Sequence, residues 1–158
     1  MKQSILVSAC LLGTPCRYDG TGKNLPELHQ LESLGISFIP VCPEVLGGLP
    51  TPRPPAECQP DGTVRNREGV DVTAAFQLGA QRTLSLAQQH HCTIALLKER
   101  SPSCGGSQIY DGTFSGTLVD GTGITANLLH SHGISVYGES EFPSLLSSLK
   151  KLYGIFPE

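Results

Sequence analysis

No apolar run in the 158 residues approaches the roughly 18 to 20 that a spanning helix requires, so membrane insertion is not expected. An excess of charge is missing too. The 11 Lys and Arg against 14 Asp and Glu leave a formal charge of -3, and no basic footprint marks duplex nucleic acid as a partner. The start, Met1 to Cys10, imitates a lipoprotein cleavage site. Its apolar stretch is only about half of a secretory h-region, usually ~7 to 15 residues, so the expected location is the cytoplasm. No Cys-x-x-Cys pair exists, which argues against structural zinc, and the cysteine spacing fits no standard ferredoxin pattern. Walker and dinucleotide fingerprints are absent as well, which disfavours ATP and nicotinamide enzymes.

What is present is an alternation of short apolar runs with helical patterns. Ile5–Val7, Phe38–Val41, Thr93–Leu97 and Ile134–Tyr137 read as strands, three of them apolar almost throughout, as parallel strands covered on both faces are. A first helix is predicted after Asn24, with Pro26 in its opening turn, Leu28, Leu31 and Leu34 inward, and Gly35 as its stop. The clearest helix runs from an Asp71 cap to about Gln89, with Val72, Ala75, Phe76, Gly79, Ala80, Thr83, Leu84 and Ala87 on one stripe. A third spans roughly Ile124 to His132, and a last one follows Pro143 with Leu145, Leu146, Leu149 and Leu152 inward. Ile109–Phe114 reads as a hairpin around Asp111-Gly112, and Pro50–Pro60 as a stiff loop over the sheet edge. The predicted fold is one α/β domain over residues 1–158. It has an open, mostly parallel four-stranded sheet with helices on both faces, Rossmann-like or flavodoxin-like, plus a small β-hairpin.

Ligands of such sheets bind beyond the carboxyl ends of the strands. Cys10 follows the first strand, Cys42 closes the second, and Cys104 lies in the loop after the third, so all three fall on that edge. Clustered cysteines in a cytosolic chain favour metal or catalysis over disulfides, with inert packing as the alternative. Cys92 falls at the opposite edge as a buried apolar residue, Cys58 has no positional assignment, and Cys16 is a fourth ligand, a nearby thiol or a loop residue. His90 and His91 sit at the wrong edge, and His130 and His132 near a helix end. Glu44 follows Cys42 by two, and Ser101 and Ser103 precede Cys104, so a carboxylate and hydroxyls face whatever the thiolates hold. Arg17, Arg53, Lys98 and Arg100 lie on the same loops, where they could bind a phosphate or carboxylate.

Ser8-Ala9-Cys10-Leu11-Leu12-Gly13, Cys16-Arg17-Tyr18-Asp19-Gly20, Val41-Cys42-Pro43-Glu44-Val45-Leu46-Gly47-Gly48 with Pro52-Arg53-Pro54-Pro55, and Lys98-Glu99-Arg100-Ser101-Pro102-Ser103-Cys104-Gly105 together resemble the thiouracil desulfidase family in its short form. The resemblance implies a 4Fe-4S cluster held by Cys10, Cys42 and Cys104 with one iron open, and Cys16 as ligand or neighbour. It makes Glu44 and Ser101 the catalytic pair. The implied substrate is a small thiolated pyrimidine, thiouracil or 4-thiouridine monophosphate, which loses its sulfur to give uracil or UMP and sulfide. Arg17 or Arg53 would take the phosphate of a nucleotide, with Ser103 also facing the substrate. Two other readings stand beside it: an iron-sulfur module that senses oxidants or stores sulfur, and a cluster-free sulfur transferase with a persulfide on Cys16 or Cys104.

Overall fold

The computed structural model describes residues 3–152; Met1, Lys2 and the tail after Leu152 lie outside the described residues. In chain order the elements are β1 (Gln3–Ser8), α1 (Leu28–Ser33), β2 (Ile36–Val41), α2 (Pro43–Leu46), β3 (Ala56–Cys58), β4 (Val64–Asn66), α3 (Thr73–Gln89), β5 (Ile94–Leu97), β6 (Gln108–Tyr110), β7 (Leu118–Asp120), α4 (Ile124–Ser131), β8 (Ser135–Gly138) and α5 (Phe142–Leu152). Short 3-10 turns occupy Ala9–Leu12 and Glu139–Glu141. The four predicted strands form one parallel sheet in the order β2-β1-β5-β8.

Alternation along β1 explains the two covered faces. Ile5 and Val7 join Leu28 and Leu31 of α1 and Leu145 and Leu149 of α5, whereas Leu6 joins Leu84 and Ala87 of α3 and Ala126 and Leu129 of α4. Pro40 is accommodated because β2 is an edge strand, where a missing N–H costs no ladder bond. In α3 the stripe of Phe76, Gly79, Ala80, Thr83, Leu84 and Ala87 is buried, and the Thr83 hydroxyl donates back to the Gly79 carbonyl at 2.8 Å. Asp71 starts that helix from two residues upstream, its Oδ1 accepting the N–H and hydroxyl of Thr73.

Four details differ from the sequence expectations. Pro26 and Glu27 form a turn ahead of α1, which leaves Leu34 half-buried after its end, and Gly35 at φ +83° closes it. Leu152, expected inward, is 56% exposed, because the apolar cluster that takes Leu145 and Leu149 does not reach the last described turn. The hairpin exists as β6 and β7, but its connection runs over Asp111–Thr117 instead of a two-residue turn. Asp111 Oδ1 captures the N–H and hydroxyl of Thr113 at 2.9 and 2.6 Å, which folds Thr113 and Phe114 into the loop rather than into a strand. The Pro-rich stretch ends in a strand. β3 pairs antiparallel with β4 across a turn in which Asp61 binds Thr63 in the same way.

The short α2 was not foreseen, and its seat is defined by glycines. Gly47 lies against the Ala75 carbonyl and Gly79 against the Pro43 carbonyl, so closely that a Cβ at either position would overlap that oxygen. This crossing sets the height of Glu44 over the sheet.

Candidate metal centre and active site

In-register pairing of β1 with β2 puts Ser8 opposite Val41, so the chain leaves both strands at one level. Cys10 then sits in the 3-10 turn, Cys42 is the residue that caps α2, and Cys104 sits in the loop after β5. Together with Cys16 they line a cavity of about 530 Å³. It lies past the carboxyl ends of the strands, where the order reverses between β1 and β5. The Cys42 thiol reaches the Cys16 carbonyl at 3.6 Å, and the Ser8 hydroxyl reaches Cys104 Sγ at 3.7 Å while accepting the Lys98 N–H. Cys58 is outside this lining, its thiol against the Pro102 carbonyl, and Cys92 is packed between α3 and β5 as expected.

The Cys10, Cys16 and Cys104 thiols are held in the protonated form. Burial, reinforced by neighbouring Cys42, pushes Cys10 up to about 11 and Cys16 up to about 12, and burial raises Cys104 further still. Lys98 and Arg17 work the other way on Cys10. Any metal that binds must therefore displace protons, and cationic side chains stand ready to balance the thiolates. Among the described residues no three His, Cys, Asp or Glu side chains converge tightly enough for a single metal ion. Several thiols spread over one cavity floor suit a larger group that takes one thiolate per iron, so the donor set fits an iron-sulfur cluster.

Glu44 projects from the first turn of α2 and is braced from two sides. Its Oε1 receives Arg53 Nε at 2.9 Å and its Oε2 receives the Ser103 hydroxyl at 3.4 Å. Arg53 is itself nearly consumed. Its remaining nitrogens donate to the Pro50 carbonyl, the Thr51 hydroxyl and the Cys16 carbonyl, which ties the Pro-rich loop to the Cys16 loop. Ser103 is buried and does not line the cavity, so the structure places it behind Glu44. Ser101 does line it. Both lone pairs of its Oγ accept backbone N–H groups, from Ser103 and Cys104 at 3.1 Å, which leaves its own proton to be donated.

Arg17, Lys98 and Arg100 also line the cavity. Lys98 pairs with Glu139, which Lys23 reaches from outside. The outer wall, which sequence reasoning missed, comes from the two hairpins: Glu57 on β3, Arg67 after β4, Tyr110 on β6 and Phe114 in the β6–β7 loop. Arg67 lies over the Phe114 ring at 5.8 Å. No periodicity or motif in the sequence pointed to these four residues. Among the described residues no helix is long and apolar enough to cross a membrane.

An open α/β sheet that gathers cysteines, a braced carboxylate and a donor hydroxyl at its switch point has the make-up of an enzyme site built around thiolate ligands. A family model described as 2-thiouracil desulfurase matches residues 5–141, and the chain belongs to that family. It is 40% identical over 151 residues to the uncharacterized protein YbbK of Bacillus subtilis (strain 168), covering 90% of this chain and 99% of that protein. It is also similar to the solved structure of the 4Fe-4S-dependent thiouracil desulfidase TudS (DUF523Vcz), with a TM-score of 0.88 and 48% identity over 94% of this chain and 98% of that one.

Proposed function

We propose that this chain, as one domain of the cytoplasm, is a 4Fe-4S-dependent desulfidase that replaces the sulfur of a thiolated pyrimidine, as base or nucleotide, with oxygen from water. One observation carries the reading: strand-end Cys10, Cys42 and Cys104 share a cavity with a carboxylate, Glu44, that the protein braces from both sides. A sensor or storage module has no use for a positioned carboxylate. The six cysteines are free, which suits a reducing compartment.

Cys10, Cys42 and Cys104 would hold the cluster, with Cys16 as the neighbouring thiol. When bound, a cluster with an open iron supplies a thiophilic Lewis acid for the C=S sulfur. The chain's own residues handle protons and position. Glu44 takes a proton from the water that adds to the ring carbon, and Arg53 and Ser103 fix the direction of its lone pairs. Ser101, whose oxygen is saturated with N–H donors, directs its O–H to the substrate. The exchange of C=S for C=O consumes one water and releases one sulfide with two protons, so no electrons are transferred. Arg17 and Arg100, whose guanidinium groups have no hydrogen-bond or ion-pair partner among the described residues, supply positive charge for a nucleotide phosphate.

Anaerobic reconstitution followed by a sulfide-release assay on 2-thiouracil and 4-thiouridine monophosphate tests this. The wild-type protein is expected to release sulfide, and Glu44→Gln to keep its iron while losing about 10² to 10⁴ in rate. Iron-loaded wild-type protein that releases no sulfide from any thiolated pyrimidine would sink the reading.

A further inference from the structure

Of the three thiols assigned to the cluster, Cys104 is treated differently from the others. Its sulfur accepts the Ser8 hydroxyl at 3.7 Å. Among the described residues no side chain donates to the sulfur of Cys10 or Cys42, and the Cys42 thiol is itself a donor, to the Cys16 carbonyl. Ser8 is the last residue of β1 and 2% exposed, so water does not compete for its proton. The ladder between β1 and β5 pairs Leu6 with Ala95 and Val7 with Leu96. Past it, Ser8 Oγ takes the place of a strand carbonyl and accepts the Lys98 N–H at 2.9 Å. That bond fixes the oxygen, and the hydroxyl's single proton has the Cys104 sulfur as its acceptor among the described residues.

We propose that Ser8 is a positioning residue that tunes the cluster through Cys104: its O–H donates to the ligating sulfur and draws electron density from it, which raises both the reduction potential of the cluster and the acidity of its open iron toward the substrate's sulfur. This rests on the cluster-dependent desulfidase reading and deepens it. A hydrogen bond to a charged acceptor is about twice as strong as a neutral one, and a site from which water is largely excluded strengthens it further. Hydrogen bonds to the sulfurs are among the factors that set iron-sulfur potentials. Ser8 precedes Cys10 and Lys98 precedes Cys104, so the same hydroxyl also ties together two ligand-bearing segments. The tie to Lys98 needs only an acceptor oxygen. Tuning needs the proton as well, and the proton is what reaches Cys104.

The test is a redox titration of the anaerobically reconstituted protein as wild type, Ser8→Ala and Thr83→Ala, with Fe–S stretching frequencies recorded by resonance Raman in light and heavy water. Sulfide release from 2-thiouracil and 4-thiouridine monophosphate is measured alongside. In Ser8→Ala the ratio of reduced to oxidised cluster at the wild-type midpoint should fall about tenfold, a downward shift of about 59 mV for one electron. Thr83→Ala removes a similarly buried hydroxyl that lies outside the cavity lining and donates to the Gly79 carbonyl, and it should leave the potential unchanged. Wild-type Fe–S frequencies are expected to change in heavy water, because the Ser8 proton exchanges, and Ser8→Ala should reduce that change. An unchanged potential in Ser8→Ala, an equal shift in Thr83→Ala, or wild-type frequencies insensitive to heavy water would each overturn the proposal. The wild-type comparison decides even if Ser8→Ala fails to hold its cluster. Wild-type protein that shows the isotope change but releases no sulfide refutes the desulfidase reading and leaves the Ser8 bond standing.

Discussion

The floor and the outer wall of the same cavity are built by opposite means. The floor hangs from the ends of strands buried on both faces, so the positions of Cys10, Cys42 and Cys104 follow from sheet register and core packing. The wall consists of three-residue strands whose shape is held by side chains bonding to backbone: Glu57 to Gly112 and Phe114, Gln59 to the Gly112 carbonyl, and Asp61 and Asp111 to the threonines two residues on. The cluster ligation proposed for the floor tolerates little displacement and would rest on the sheet, whereas the wall is loop structure in which a few hydrogen bonds decide the conformation.

The comparison breaks most visibly if the floor proves inert. Cys104→Ala is expected to leave iron near background after reconstitution and to lower sulfide release by at least about a hundredfold, as losing a ligand costs more than losing a supporting residue. Cys58→Ala, outside the lining, should retain its iron. Equal iron in the two variants, counted per chain, would reduce the strand-end thiols to packing residues.

A smaller effect is expected where floor and flank meet. Gly79→Ala would gain up to about 1 kcal/mol of helix propensity in α3. Its Cβ would overlap the Pro43 carbonyl, a backbone atom that cannot turn aside, and overpacking of that kind costs about 1 to 3 kcal/mol. The clash therefore wins. Denaturant titration should show a net loss of up to about 2 kcal/mol, with iron retained and turnover reduced because α2 carries Glu44. A stabilised variant would show that α2 yields freely and that Glu44 is not held from below.

The same division explains what could be read from the sequence. Continuous apolar runs and a 3.6-residue stripe report burial, so the four parallel strands, α3 and the cysteines at the strand ends were visible. α2, four residues long, carries no period, and its placement depends on a glycine crossing between segments that are distant in sequence, Gly47 on Ala75 and Gly79 on Pro43. The burial of Ser103 and the commitment of the Arg53 guanidinium are likewise decided by partners distant in sequence. The wall was least legible. Asp-Gly-Thr recurs at 19–21, 61–63 and 111–113, where each aspartate accepts the threonine N–H and hydroxyl, and at 120–122 in the strand end, where it does not. The tripeptide signals a turn without stating which one, and an expectation of a two-residue hairpin turn at Asp111-Gly112 overlooked that bond.

Those turns give the smallest and most local effect. Hydrogen bonds from Thr113, first its hydroxyl and then its N–H, hold the Asp111 carboxyl below its ordinary value of 3.8. A group whose pKa is lower in the folded state stabilises fully above its unfolded pKa and loses that contribution as the pH falls through the folded value. Asn accepts the same two bonds but does not titrate, so Asp111→Asn should melt slightly below the wild type at pH 7, and the gap should narrow as the pH falls below 3.8. The expected shift is small because the carboxyl is exposed to solvent. Melting curves at pH 7 and below pH 3.8 check this. A gap that persists unchanged at the lower pH would mean that the turn depends on geometry alone, and that the wall is as insensitive to charge as the floor is to sequence outside its strands.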